Sequence, residues 1–298
     1  MNTYLDCVPC LLRQSLETAR RATDDRRIHE QVMREVLGMV AELDLHLPPP
    51  FVSQAVNRRL RQMTGVDDPY RAAKTISNRL AMEALPELAS SVRQAPDPLL
   101  AAARYAIAAN ALDMGAVANL TEADARRFLS ASIQGQLQGD LEGFRRAAID
   151  ARRILYLADN AGEIAVDRLL IEALGPDRVT LAVRGAPVLN DATLSDAAEV
   201  GMDKFVEVID NGSDAPGTIL ADCSRSFRQR FEEADLVVAK GQGNFETLSD
   251  AGPRIAFLFK VKCPVVAGHV GLAVGSHALV RVDGRSSSRP DAQARDLP

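Results

Sequence analysis

Asp159 and Asn160 stand directly after a short apolar run, and Asp191 stands one run later. Two carboxylates and a carboxamide are hard oxygen donors. They suit Mg²⁺ or Mn²⁺, which keep several waters and also take substrate phosphate oxygens. The Asp-Asn pair would equally serve as a cap for a following helix; Asp191 at the neighbouring strand end tips the reading toward metal. Lys240 opens the segment Lys240-Gly241-Gln242-Gly243-Asn244. Small residues let backbone N–H groups approach an anion, and a lysine there can hold phosphate as a point charge. The plainer alternative is a surface lysine beside a glycine turn. Arg184 and Gly185 follow another run. Arg184 suits a bidentate phosphate clamp or a surface ion pair. Asn211-Gly212 reads as a turn.

These residues need a scaffold that brings them to one edge. Short apolar runs fall at Ile154–Leu157, Val179–Val183, Phe205–Ile209, Leu236–Ala239 and Ile255–Phe259. Helical patterns lie between most of them, as at 163–174 and 222–233. Strand and helix alternating at this spacing predict a parallel α/β sheet with right-handed crossovers. Ligands then bind outside the carboxyl ends of the strands, where the residues above fall. Residues 1–150 read differently, being rich in Ala, Leu, Arg, Glu and Gln. Leu5, Val8, Leu11, Leu12 and Leu16 recur at the helical period. The expectation is a helical domain over 1–150, an α/β domain over 151–281 and a disordered tail over 282–298, where apolar side chains are few.

Several classes are disfavoured. A formal net charge of −5 gives no general attraction to nucleic acid. No apolar stretch is long enough for a membrane-spanning helix. The start MNTYLDCVPC is not a secretory signal, so four cysteines imply a reducing, cytoplasmic setting rather than disulfides. Cys7-x-x-Cys10 suits a redox pair or half a zinc site, but no second ligand pair completes the zinc and the favoured reading is two semi-buried thiols. The histidines form no ligand-spaced pair, and no Walker-A loop or nucleophile elbow is present. Gly241-x-Gly243 begins a dinucleotide fingerprint, but Glu246 occupies its third glycine position.

Taken in order, the segments resemble one family over nearly the whole chain: the damage-control metal phosphatases, called acidic-residue-methyltransferase-like and formerly a domain of unknown function. The resemblance rests on Cys7-x-x-Cys10, Asp68-Pro69-Tyr70 with Lys74, Asn110-x-x-Asp113, and Asp159-Asn160-Ala161-Gly162-Glu163. It continues through Val183-Arg184-Gly185-x-Pro187-x-Leu189-Asn190-Asp191-Ala192-Thr193 and Asp235–Asn244. The Cys-x-x-Cys resembles the stand-alone, mostly prokaryotic and archaeal branch. The resemblance implies a helical N-terminal domain followed by a Rossmann-like α/β domain. It implies a divalent metal on Asp159, Asn160 and Asp191, with phosphate and substrate contacts from Glu163, Arg184 and Lys240 and with Asn244 nearby. Asn110 and Asp113 would line the cleft from the helical side. The choice among Mg²⁺, Mn²⁺, Co²⁺ and Ni²⁺ stays open. The implied substrates are small phosphate esters, including sugar phosphates and damaged phosphometabolites. Ala109 and Met114 depart from the family pattern, which has glycine and an aromatic there. Two rivals remain: an S-adenosylmethionine-dependent carboxyl methyltransferase, for which Ala161-Gly162-Glu163 is a poor cofactor loop, and a non-catalytic nucleotide- or metabolite-binding module, which would not need both Asp159 and Asp191.

Overall fold

The computed structural model of the chain describes residues 1–112 and 135–281. The expectations for Asp113, Met114 and the 282–298 tail lie outside the described residues. The chain opens with helices α1 (Cys7–Ala22), α2 (Arg26–Ala41), α3 (Pro49–Thr64), α4 (Arg71–Gln94) and α5 (Pro98–Ala108), and a 3₁₀ turn Ala109–Leu112 follows α5. Then come β1 (Leu137–Gly139), α6 (Leu141–Asp150), β2 (Ile154–Leu157), α7 (Glu163–Leu174), β3 (Val179–Val183), α8 (Leu194–Glu199) and β4 (Glu207–Asp210). The chain continues through α9 (Arg225–Glu233), β5 (Leu236–Lys240), α10 (Gln242–Leu248), β6 (Ile255–Lys260), α11 (Pro264–Val270) and β7 (His277–Arg281). Among the described residues, no helix is long and apolar enough to cross a membrane.

The sheet has the order β1-β7-β6-β5-β2-β3-β4. Strands β2 to β6 pair in parallel, whereas β7 runs antiparallel to β6 and carries β1 at the edge. The central strands are buried on both faces, so they are continuous apolar runs rather than alternating ones. Alternation instead decides which face each side chain joins. Tyr156, Leu181, Val238 and Leu258 join one core with helix residues such as Leu80, Ile107 and Leu170. Leu155, Leu157, Val237 and Phe257 join the opposite core with Phe227, Phe245 and Val266. Helices α1 to α3 enclose a smaller core around Val32, Val36, Val56 and Leu60. Helices α4 and α5, by contrast, bury Leu80, Leu88, Ala102 and Ile107 in the first sheet core.

Strand order reverses at β2. The chain moves outward through β3 and β4, then returns to the other side of β2 as β5 and β6. At such a switch point, the connections leave in opposite directions and open a crevice at the strands' carboxyl ends. Asp159 follows β2, and Lys240 ends β5, so both stand at that crevice.

Candidate active site

Asp191 meets Asn160 because the segment after β3 folds back on the segment after β2. The Ala192 N–H donates to Asp159 O at 2.8 Å, and Ala161 N–H donates to Asn190 O at 2.9 Å. Asn160 and Asp191 are thereby bridged antiparallel. The fold-back turns on Leu189, whose φ of 46° lies in the left-handed region. It closes with Asp191 N–H donating to Val188 O at 3.1 Å. From the helical side, Asn78 Oδ1 accepts the Gly162 N–H at 2.7 Å and fixes the turn after Asn160.

Asn160 Nδ2 donates to Asp159 Oδ2 at 3.1 Å and to Glu163 Oε2 at 3.4 Å. Asn110 Nδ2 reaches the same two carboxylates, at 3.3 and 2.8 Å. Arg184 Nε donates to Asp191 Oδ2 at 2.7 Å, and its Nη1 donates to Thr218 Oγ1 at 3.3 Å and Asn244 Oδ1 at 3.4 Å. Its Nη2 is buried without a partner. Asn244 is held in turn, with Nδ2 donating to Lys240 O at 2.7 Å. Lys240 is fully buried and its ammonium is fully used. Nζ donates to Glu163 Oε1 at 2.5 Å, Asp167 Oδ1 at 2.6 Å and Ala106 O at 3.0 Å. The structure thus brings together Asp159, Asn160, Glu163, Arg184, Asp191, Lys240, Asn244 and Asn110. Asn211 acts as a turn residue, its Oδ1 accepting from Gly185 N–H at 3.0 Å and Ser213 N–H at 2.9 Å. Cys7 is half-buried and Cys10 exposed, both as free thiols.

Close approach of backbone completes the site. Gly241 has φ 80° and ψ 157° and leads from β5 into α10. A Cβ there would lie 2.1 Å from the Asp159 carboxyl group, so Asp159 occupies space that any other residue would fill.

Asp167 and Tyr156 were not foreseen. Tyr156 OH donates to Asp167 Oδ1 at 2.8 Å. A signal existed: Glu163 and Asp167 sit four positions apart, hence on one face of the helix, and both are buried. Their shared partner, Lys240, is far away in sequence, and no local pattern connects them.

The electrostatics are lopsided. Four buried carboxylates, from Asp159, Glu163, Asp167 and Asp191, face two buried cations, Lys240 and Arg184. Burial, then the charges of Glu163 and Asp191, push the Asp159 carboxyl well above the ordinary carboxylate range. Burial also raises Asp191, although Arg184 opposes it. Asp167 is pushed up to about 6 by burial, with Lys240 pulling the other way. Burial works against the Lys240 charge, but Asp167 and Glu163 outweigh it and raise that group.

A divalent cation fits this donor set. It would offset the crowded buried negative charge, and the engaged Asn160 nitrogen leaves the amide oxygen as that residue's donor. Among the described residues, no group of three or more His, Cys, Asp or Glu is arranged as a metal cage. Two carboxylates and an amide, with waters completing the shell, match the way Mg²⁺ is usually held.

A parallel α/β sheet with buried carboxylates and an unpartnered guanidinium nitrogen at its switch point defines an enzyme-like, anion-handling class. The chain belongs to the damage-control phosphatase ARMT1-like domain family, whose model matches residues 3–278. That membership makes it a phosphatase. It is similar to a damage-control phosphatase of Archaeoglobus fulgidus, with 35% identity over 276 residues, 90% of this chain and 95% of that protein. It is similar to damage-control phosphatase PH1575 of Pyrococcus horikoshii, with 29% identity over 287 residues, 94% of this chain and 98% of that one. A crystal structure of a DUF89 family protein from Pyrococcus horikoshii matches with a TM-score of 0.85 and 29% identity, covering 95% of this chain and 100% of that chain.

Proposed function

We propose that the protein is a divalent-metal-dependent phosphatase that hydrolyses small phosphate esters, such as sugar phosphates or damaged phosphometabolites. The observation that carries the metal is the crowding of buried negative charge: Asp159 lies buried with Glu163 and Asp191 nearby, and burial together with their charges pushes its carboxyl up despite Lys262 and Arg184. Asp159, Asn160 and Asp191 would hold the ion. When bound, such an ion supplies Lewis-acid polarisation of phosphoryl oxygens and activation of a water. Arg184 keeps Nε on Asp191 and has Nη2 free to donate to a phosphoryl oxygen. This donor is already oriented, so the transition state gains its stabilisation without rearrangement. Glu163 and Asn110 orient Asn160 and Asp159, and Asn244 with Thr218 holds the guanidinium in plane.

The test is phosphate release from p-nitrophenyl phosphate and a panel of sugar phosphates. Chelator-stripped protein is assayed alone and with Mg²⁺, Mn²⁺, Co²⁺ or Ni²⁺, beside Asp159→Ala. Release that requires metal and disappears in the variant supports the reading. Folded wild-type protein that releases no phosphate with any metal overturns it.

A further inference from the structure

Lys240 has three N–H donors, and each already has an acceptor: Glu163, Asp167 and the Ala106 carbonyl. Its neighbours leave it no room to swing away, because Lys240 and Asp167 are both fully buried. Charge-assisted bonds of this length are the strong ones in a protein interior. The arrangement continues on both sides of the lysine. Behind it, Tyr156 OH donates to the Asp167 oxygen that also receives Lys240. In front of it, Glu163 takes Lys240 on Oε1 and turns Oε2 to the amide nitrogens of Asn110 and Asn160. One continuous chain of hydrogen bonds therefore runs from the middle of β2, through α7 and the end of β5, back to Asn160.

We infer that Asp167, braced by Tyr156, is a positioning residue that pins Lys240 against Glu163 and through Glu163, alongside Asp159, orients the Asn160 amide. The inference rests on the metal-site reading above. It also gives Lys240 its task, which is to hold Glu163 rather than to touch phosphate. An amide is nearly symmetric in shape, so something must choose which end faces the ion. Glu163 and Asp159 make that choice together, each accepting only the nitrogen end, and Glu163 is itself held by Lys240 on Oε1 and Asn110 on Oε2. Without Asp167, the ammonium loses its second counter-charge and its lateral restraint. Oriented outer partners of this kind typically change metal affinity or activity by about 10- to 100-fold when removed.

Calorimetric titration of chelator-stripped protein with Mn²⁺ tests this, together with kcat and KM for p-nitrophenyl phosphate. The set comprises wild type, Asp167→Asn, Tyr156→Phe, Glu163→Gln and the double variant Asp167→Asn/Glu163→Gln. Asp167→Asn is expected to weaken Mn²⁺ binding and lower kcat by about 10-fold or more, with KM changed by less than about twofold. Tyr156→Phe, which removes one hydroxyl, moves both in the same direction by a few-fold. The double variant is expected to be no worse than Glu163→Gln alone, because both changes cut one chain. Mn²⁺ affinity and kcat within twofold of wild type in Asp167→Asn overturn the inference. So do fully additive effects in the double variant. If Asp167→Asn does not fold, wild-type values in Tyr156→Phe overturn it. Wild-type protein that neither binds Mn²⁺ nor releases phosphate fails earlier, at the metal reading itself, and takes this inference with it.

Discussion

Gly241→Ala places one methyl group where the Asp159 carboxylate now sits. The added Cβ would lie 2.1 Å from Asp159 Cγ and Oδ2, against an ordinary contact of 3.4 Å or more. The carboxylate must therefore retreat by more than about 1 Å, or the β5–α10 turn must move instead. Backbone relief is expensive too, since φ 80° with ψ 157° is a conformation left almost wholly to glycine. Holding alanine there costs about 1–3 kcal/mol. At this chain length, about 2 kcal/mol lowers Tm by roughly 3 °C. An ångström's displacement of a catalytic group costs on the order of 100-fold in rate. The expected variant is folded, a few degrees less stable and at least about 100-fold slower in metal-dependent phosphate release. Melting curves and kcat measured on the same preparation check both parts. Wild-type Tm together with turnover within threefold of wild type would refute the claim that Gly241 exists to admit Asp159.

Asp159→Asn removes a carboxylate that burial and two neighbouring acids disfavour. The metal-free variant is expected to melt above metal-free wild type, and to lose the stabilisation that saturating Mn²⁺ gives wild type, about 2.7 kcal/mol at a hundredfold excess over Kd. A melting point lower than wild type without metal would contradict the crowding of buried negative charge. Arg184→Lys keeps the charge but loses the fork that holds Asp191 and leaves Nη2 free. For a phosphate ester, kcat/KM should fall about tenfold or more, and an unchanged kcat/KM would argue against a phosphate contact at this position. Asp214 fastens the segment after β4 to α3, accepting from Gln54 at 2.7 Å, Arg58 at 2.6 Å and Arg61. Burial disfavours its charge, but these donors outweigh it and hold the carboxyl below its ordinary range. A depressed carboxyl contributes stability that is present above its unfolded pKa and lost as pH falls through the folded one. Asp214→Asn should cost about 2 kcal/mol near neutral pH and shrink the difference from wild type below about pH 4. Equal differences at pH 3 and pH 7 would contradict this assignment.

Much of the scaffold was legible because its central strands are buried on both faces. Ile154–Leu157 and Val179–Val183 appear with the bounds their apolar runs suggest, and helix 163–174 does as well. Phe205–Ile209 was legible only in part. Phe205 and Val206 belong to the turn after α8, with both N–H groups donating to Met202 O, and the strand begins at Glu207. An apolar run marks burial, and here part of that burial lies in a turn. Strands β1 and β7 gave little warning, since Leu137–Gly139 is too short to show a period. The helical first half was legible by composition, but not that α4 and α5 share the sheet's core while α1 to α3 form their own. At the site, residues that end strands could be found from strand position. The partners that hold them could not. Asp167 and Asn78 matter through contacts made across long sequence distances, and Tyr156 through its bond to Asp167. Lys74, noted in sequence beside Asp68-Pro69-Tyr70, finds a second counter-ion in Asp196 at 2.9 Å, far along the chain.

The most direct test of the central claim is anomalous diffraction from crystals of the full chain soaked in Mn²⁺. One strong peak is expected within about 2.0–2.3 Å of an Asp159 carboxylate oxygen, Asn160 Oδ1 and an Asp191 carboxylate oxygen. A peak elsewhere, with these three residues unchanged and no density between them, would contradict it.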